Sequence, residues 1–350
     1  MSNSQPVIVK RIVHNALTEL GFTEDFRRAI ENLGETSDQE LIGRVRRIDR
    51  GWSTFLCVPR AEVTAATSLT EKKVRNLGAD VAVGDWIIVS GDGERILAVL
   101  PRRSRLVRRA SSDEVRAEAH TIAANIDVVF LVHALDRATN ERRIERELVL
   151  AFDSGAQPVV VLTKSDSIDA ADAELARLAV VAVSMNVPVC VVSSVTGDGL
   201  DELRAHVRDG ATVAVLGSSG VGKSTLVNAL TGTDTQQTGA TRRGDNKGRH
   251  TTTAADLVPL PDHGWLIDTP GLRAVGLWSS GHGIERAFAD VFAVAEKCRF
   301  RDCKHEQEPS CAVREAVSAG SLSQARVESL HRLVAEEAEL ERAQQKAARR

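Results

Sequence analysis

The run Gly217-Ser218-Ser219-Gly220-Val221-Gly222-Lys223-Ser224-Thr225 fits the eight-residue pattern G-x-x-x-x-G-K-[ST] over Gly217 to Ser224 without a mismatch. Glycines at these intervals let backbone curl closely around a phosphate, so that successive N–H groups and a helix N-terminus face its charge. Lys223 would reach the β- and γ-phosphates, and the Ser224 hydroxyl would ligate the Mg²⁺ that bridges them. Downstream, Asp268-Thr269-Pro270-Gly271 has D-x-x-G spacing, which puts the Asp268 carboxylate near the metal and the Gly271 amide against the γ-phosphate. Between the two runs Gly248-Arg249-His250-Thr251-Thr252-Thr253, a polar loop able to give a switch threonine, Thr251 or Thr252, to the metal. Upstream stands Thr163-Lys164-Ser165-Asp166, a T-K-x-D run. Asp166 can accept two hydrogen bonds from guanine while the Lys164 stem covers the ring; adenine lacks that donor pair, so GTP is preferred over ATP. Thr163 stands where asparagine is usual, which weakens the side-chain amide contribution to the base site. Ser193 and Ser194, in the stretch from Val191 to Leu200, fit a last guanine-contacting loop.

A second chemistry sits near the C-terminus. Cys298-x₄-Cys303-x-His305-x₅-Cys311 gathers three of the five cysteines and a histidine within fourteen residues. Four soft or borderline ligands in a polar loop suit a tetrahedral Zn²⁺, and a closed protein shell marks the ion as structural. Cys57 and Cys190 lie in apolar strand patterns and read as inert core residues.

These loops need strands to carry them. Apolar, β-branched runs at 158–162 and 212–216 end in T-K-x-D and in the phosphate loop, and Trp265-Leu266-Ile267 ends in D-x-x-G. From Ile126 strand and helix alternate: strand 127–132, helix 141–152, strand 158–162, helix 170–183, strand 188–192, helix 201–207, strand 212–216, then strands 255–260 and 265–267. A mostly parallel α/β sheet follows. Its site loops are out of order: the base-reading loops precede the phosphate loop, so the nucleotide fold is circularly permuted. A doubly wound sheet tolerates this because its termini often lie close together.

Before the α/β region, short alternating strands at 43–48, 53–58, 85–89 and 96–100 suggest a small β-barrel, OB-like or SH3-like by periodicity alone. Net charge is −3, yet residues 41–110 carry fourteen Lys/Arg against seven Asp/Glu, a balance of +7. Five arginines fall within 102–109, and arginine suits phosphate because its fork donates two parallel hydrogen bonds. Beside a nucleotide domain this favours RNA contact, and an aromatic content of 3% favours backbone and shape recognition over base stacking. Lys297, Arg299, Arg301 and Lys304 make the cysteine loop a second basic contact. Residues 1–40 show two short amphipathic patterns, 41–110 the barrel, 111–280 the nucleotide domain, and 281–350 the metal module and a long charged helix. The apolar runs are far shorter than the roughly 18 residues of a membrane span, and 1–10 lack a signal-peptide core. A cytoplasmic chain with no membrane partner is expected.

The order T-K-S-D, S-S, G-S-S-G-V-G-K-S-T, G-R-H-T-T-T, D-T-P-G, then Cys₃His resembles the ribosome-small-subunit-dependent GTPases (RsgA, also called YjeQ) over roughly 41–335. The resemblance implies a permuted GTPase between an N-terminal OB-fold and a C-terminal zinc module. It further implies late maturation of the small ribosomal subunit, with the subunit and its rRNA as partners, GTP and GDP as ligands, no DNA, and a monomer. The residue after D-x-x-G, where a water-orienting glutamine is common, is Leu272, so intrinsic hydrolysis should be slow. The resemblance points instead to His250, which can position water as a neutral acceptor. The rival class is an RNA-binding assembly scaffold with a regulatory nucleotide site.

Overall fold

The computed structural model describes residues 15–34, 37–49, 51–109, 119–207, 210–232, 255–261, 264–268 and 281–348. Two short helices open it, α1 (Ala16–Glu19), capped by the Asn15 side chain, and α2 (Glu24–Glu31). Strands β1 (Leu41–Asp49), β2 (Trp52–Pro59), β3 (Thr70–Arg75), β4 (Trp86–Val89) and β5 (Ile96–Val99) follow. β1 pairs with β2 and β4, β2 with β3, and β4 with β5, all antiparallel, while a parallel bridge from Arg75 to Arg95 joins β3 to β5. The order 1-2-3-5-4-1 closes a five-stranded barrel of the OB kind, settling what periodicity left open. β3 is the strand the hydrophobic pattern hides: five of its six residues, in Thr-Glu-Lys-Lys-Val-Arg, are exposed and only Val74 enters the barrel core. The basic run beyond Pro101 is likewise partly strand, since β6 (Arg105–Arg109) pairs with β7 (Ala119–Ala124) as a separate ribbon.

The α/β region then runs β8 (Val128–Ala134), α3 (Glu141–Ser154), β9 (Gln157–Thr163), α4 (Ala170–Val183), β10 (Val189–Val191), α5 (Leu200–Arg204), β11 (Thr212–Gly217), α6 (Lys223–Thr231), β12 (Asp256–Pro259) and β13 (Trp265–Asp268). Its strands lie in the order β10-β9-β8-β11-β13-β12, parallel except for β12. Every residue of β8 is buried, and alternate side chains face opposite ways: Val129 and Leu131 join the core under α3 and α4, while Val128, Phe130 and Val132 join that under α5 and α6. The sheet is therefore covered on both faces, which is why its strands read as unbroken apolar runs. Beyond the sheet come α7 (Gly281–Ala287), α8 (Ala289–Ala295), α9 (Ala312–Ser318) and α10 (Gln324–Ala348). Among the described residues no helix is long and apolar enough to cross a membrane.

Barrel and α/β sheet meet at a buried cation. Arg44 on β1 is 1% exposed. Its guanidinium donates to the carbonyls of Leu20 (2.7 Å), Asn125 (2.9 Å) and Gly84 (3.2 Å), one each from the N-terminal extension, the approach to β8 and the barrel. Gly84 has φ +91°, and a Cβ there would come within 2.1 Å of the Ala124 carbonyl, so this approach requires glycine. Phe22 and Phe26 pack on Trp86 beside it, with ring centroids 4.9 and 5.7 Å away, so the extension is part of the core. Arg102 binds Asp85 through two 2.8 Å contacts, and Arg103 reaches Asp127 at 3.0 Å. Much of the positive excess counted in the sequence thus serves internal joints.

Arg44→Met keeps the stem and removes the fork, leaving the Leu20 and Asn125 carbonyls without their guanidinium donor while Gly84 keeps the Asn125 amide. A loss of about 3 kcal/mol is expected, lowering the first thermal transition by roughly 5–10 °C, and calorimetry with limited proteolysis checks it. Arg44→Lys should recover part of the loss.

Candidate nucleotide and metal sites

β11 ends at Gly217, whose φ of +151° and 2.5 Å clearance from the Val132 carbonyl to a would-be Cβ exclude any side chain. The loop turns through Ser218, with Ser219 and Gly220 exposed at its tip, while Val221 anchors it in the core beneath α5 and α6. Gly222, in the left-handed region at φ +90°, caps α6, so Lys223, Ser224 and Thr225 form its first turn. The Lys223 ammonium donates to the Gly217 (2.8 Å) and Ser218 (2.5 Å) carbonyls, folded against the loop it would share with a phosphate. Asp268 closes β13, the strand hydrogen-bonded directly to β11, which ends in the phosphate loop. His250, Thr251, Thr252 and Gly271 lie outside the described residues.

The T-K-x-D residues come to the same crevice from β9. Thr163 is buried, and its hydroxyl donates to the Val221 carbonyl of the phosphate loop at 2.6 Å, with the His133 carbonyl 3.1 Å away. The Thr163 hydroxyl thus ties the base-reading strand to the phosphate loop. Lys164 sits at φ +64°, and its ammonium donates to Asp136 at 2.5 Å. Asp166 accepts from the buried Ser193 hydroxyl at 2.6 Å, which joins the T-K-x-D loop to the serine loop after β10. Beside it the Ser194 hydroxyl is buried with no protein partner, a polar group that a bound base would satisfy. Five of the expected base-site residues, Thr163, Lys164, Asp166, Ser193 and Ser194, thus converge.

The metal cluster is separate. The ligand atoms of Cys298, Cys303, His305 and Cys311 all lie within 4.8 Å of one another. Cys298 Sγ stands 3.9 Å from Cys311 Sγ and 3.6 Å from His305 Nδ1, and Cys311 Sγ is 3.4 Å from that nitrogen. Ligands at about 2.3 Å (sulfur) and about 2.0 Å (nitrogen) around one tetrahedral ion are separated by about 3.8 and 3.5 Å, the spacing that Cys298, His305 and Cys311 already have, so the cluster could hold a metal ion. Glu308 fixes the loop by accepting from the Lys304, Glu306 and Gln307 amides, which hold its carboxyl at about 2. Lys297, Arg299, Arg301 and Lys304 are exposed around it. By contrast burial raises the Cys57 thiol to about 11 and Cys190 to about 12, keeping both protonated and inert.

Sequence reasoning overlooked Asp136 and Arg137, which sit between the base loop and the phosphate loop; only the sheet order, unreadable in one dimension, places them there. Thr163→Val removes the 2.6 Å tie without changing shape. Guanine-nucleotide affinity is expected to fall about tenfold, and Thr163→Asn to restore it, in a fluorescent-GDP titration.

Residues 99–278 match the sequence model of the RsgA GTPase family. The chain is 44% identical over 306 residues to the small ribosomal subunit biogenesis GTPase RsgA of Streptomyces avermitilis, covering 86% of this chain and 80% of that one. It is 40% identical over 297 residues to the small ribosomal subunit biogenesis GTPase RsgA 2 of Lactiplantibacillus plantarum, covering 84% and 82%. Among solved structures, YjeQ from Thermotoga maritima superposes with a TM-score of 0.62 at 25% identity over 85% of this chain and 98% of its own. YloQ, a circularly permuted GTPase, shares the fold with a TM-score of 0.61 at 22% identity over 86% and 96%. With the permuted order of its nucleotide loops, its barrel and its Cys₃His cluster, the chain belongs to the RsgA GTPase family.

Proposed function

We propose that this protein hydrolyses GTP during biogenesis of the small ribosomal subunit, binding the subunit through its barrel and metal module and leaving it on hydrolysis. The observation that carries the reading is the convergence of the phosphate loop and both base-reading loops on one end of a permuted sheet, in a chain whose family relatives are named for this role. The loop amides from Gly217 to Thr225 and Lys223 bind the phosphates, and Asp166 with Ser193 reads guanine over the Lys164 stem. Ser224 and Asp268, with Thr251 or Thr252, supply the hydroxyl and carboxylate oxygens that suit Mg²⁺, whose charge neutralises the β–γ linkage. His250 orients the attacking water where Leu272 cannot.

Cys298, Cys303, His305 and Cys311 would hold a structural zinc ion, since four protein ligands would leave no open position. The exposed cations that remain after the internal joints are subtracted include Lys72 and Lys73 on β3, Arg95, and Arg75 stacked 5.1 Å from the Trp52 ring. Lys73 and Arg75, two apart on β3, leave the same face of that strand, opposite to the buried Val74. With the basic metal loop they give rRNA two contacts that no single helix would supply. The chain is read as a cytoplasmic monomer.

Hydrolysis measured with and without purified small subunits tests this directly. Subunits should accelerate turnover; His250→Ala should lower the stimulated rate about a hundredfold or more with GTP affinity nearly unchanged. Lys223→Ala should bind subunits but fail to leave them, whereas normal release by that variant would make the protein a scaffold. Cys311→Ser should reduce zinc from about one equivalent to none and lower the melting temperature, read by metal analysis and calorimetry.

A further inference from the structure

In a parallel α/β sheet the ligand lies across the carboxyl ends of the strands. Here β8 lies between β9, which ends in the base-reading loop, and β11, which ends in the phosphate loop. The segment leaving β8, residues 135–140, therefore emerges between the two halves of the site. Its second and third residues are Asp136 and Arg137. One Asp136 oxygen takes the Lys164 ammonium at 2.5 Å; the other takes the Arg137 Nε at 3.2 Å. Arg137 Nη2 then donates to the Gly220 carbonyl at the tip of the phosphate loop, 3.3 Å away. The two halves also approach directly, for a Cβ on Gly222 would lie 4.0 Å from Lys164 Cε.

A surface ion pair contributes little to stability, so this chain of contacts is not there to hold the fold. What distinguishes it is where its ends are. Lys164 is the side chain whose stem must lie flat over a base, and left alone an exposed lysine samples many rotamers. Gly220 is the loop carbonyl facing solvent, and a guanidinium held there puts a fixed positive charge at the rim of the phosphate site.

We propose that Asp136 and Arg137 are nucleotide-site residues: Asp136 is a positioning residue that sets Lys164 over the guanine, and Arg137 steadies the phosphate loop and adds a cation beside the bound guanosine phosphates. The proposal rests on the reading of the protein as a GTP-binding enzyme and adds two residues to that site. It also makes a prediction that plain electrostatics reverses. Removing the Asp136 charge leaves the site more positive, which by Coulomb attraction alone tightens phosphate binding; loss of positioning loosens it.

The experiment is a titration of the full-length protein with GDP, a non-hydrolysable GTP analogue and the corresponding ATP analogue at two salt concentrations, for wild type, Asp136→Asn, Arg137→Gln and Arg137→Lys. Asp136→Asn should weaken both guanine nucleotides about fivefold and reduce the preference for guanine over adenine, while turnover at saturating GTP stays within about twofold. Arg137→Gln should weaken guanine and adenine nucleotides alike and flatten the salt dependence; Arg137→Lys should restore the salt dependence without the full affinity, since an ammonium cannot hold Asp136 and Gly220 as the planar fork does. Unchanged or tighter binding by Asp136→Asn, or wild-type affinity in Arg137→Gln, overturns the proposal. Melting curves of the nucleotide-free variants should match wild type within a degree or so, because the contacts are exposed; a large drop for both would make the contacts structural and equally overturn it. If the wild-type protein itself bound no guanine nucleotide, the functional reading would fail instead, so the two failures are distinguishable.

Discussion

A guanidinium removed from water has to be answered by oxygen atoms, and Arg44 is answered by carbonyls from three separate stretches of chain. Burial lowers its pKa only to about 10, with Asp127 and Asp85 opposing the shift, so the group stays charged at neutral pH and all three acceptors stay bound. Among the described residues the ladder between the barrel and the nucleotide sheet is a single pair, Arg47 with Asp256, too little to fix an angle between two bodies. The buried cation supplies the constraint. It stops α1 at Leu20, holds Gly84 against Ala124, and sets where the chain enters β8. Asn125 completes the joint, donating to the Gly84 carbonyl at 3.0 Å and accepting from the Arg103 amide at 3.0 Å. The direction of the barrel's exposed face relative to the nucleotide crevice is thereby a property of hydrogen-bond geometry, which is directional, and not of apolar packing alone.

The nucleotide loops were legible because each carries a local chemical requirement: a glycine where Val132 crowds the turn at Gly217, a lysine two residues past Val221, a carboxylate at Asp166. Strands buried on both faces were legible for the same reason, since Val128–Ala134 is apolar throughout except for His133 near its end. β3 was not, because a strand with a single buried residue gives no alternation to read. The charge count misled in a specific way. Arg44 and Arg102 look like RNA ligands in a list of basic residues, yet one is buried and the other is spent on Asp85 and Asp80. Composition records that a cation exists; only the fold says whether its partner is inside the chain. Thr163 shows the converse, where a departure from the usual asparagine keeps the tie to the phosphate loop because the hydroxyl reaches Val221.

The metal module is fastened by a second buried arginine. Arg326 on α10 donates to Asp290 on α8, to Glu145 on α3 and to the Ala287 carbonyl, and its guanidinium lies 4.7 Å from the Phe288 ring. Here the acceptors include two carboxylates, and the pair with Glu145 is buried on both sides, the kind in which removal of one partner strands the other. Burial raises the Glu145 carboxyl, with Ser329 and Arg326 opposing it. α3 is thus held on one side by the module, and on the other Glu147 reaches His133 near the end of β8 at 3.0 Å. A rigid helix joins the module to the strand whose exit loop carries Asp136 and Arg137.

Circular permutation acquires a physical sense from these joints. In an unpermuted chain the segment after D-x-x-G would have to return into the sheet as the strand beside the phosphate loop, the place β8 fills. Cutting that connection frees both ends: the chain enters β8 directly from the barrel joint at Asn125, and the segment beyond Asp268 leads to α7 and the metal module. The first switch segment is bordered in the same way, because it leads into β12, whose Asp256 pairs with Arg47 on the barrel and accepts from Arg46 at 3.3 Å. Each nucleotide-sensing segment therefore runs straight into an element that touches a flanking module. On the proposed function, nucleotide bound at the crevice and rRNA bound at the modules would be linked through these junctions, by the reciprocity that any coupling between two sites obeys.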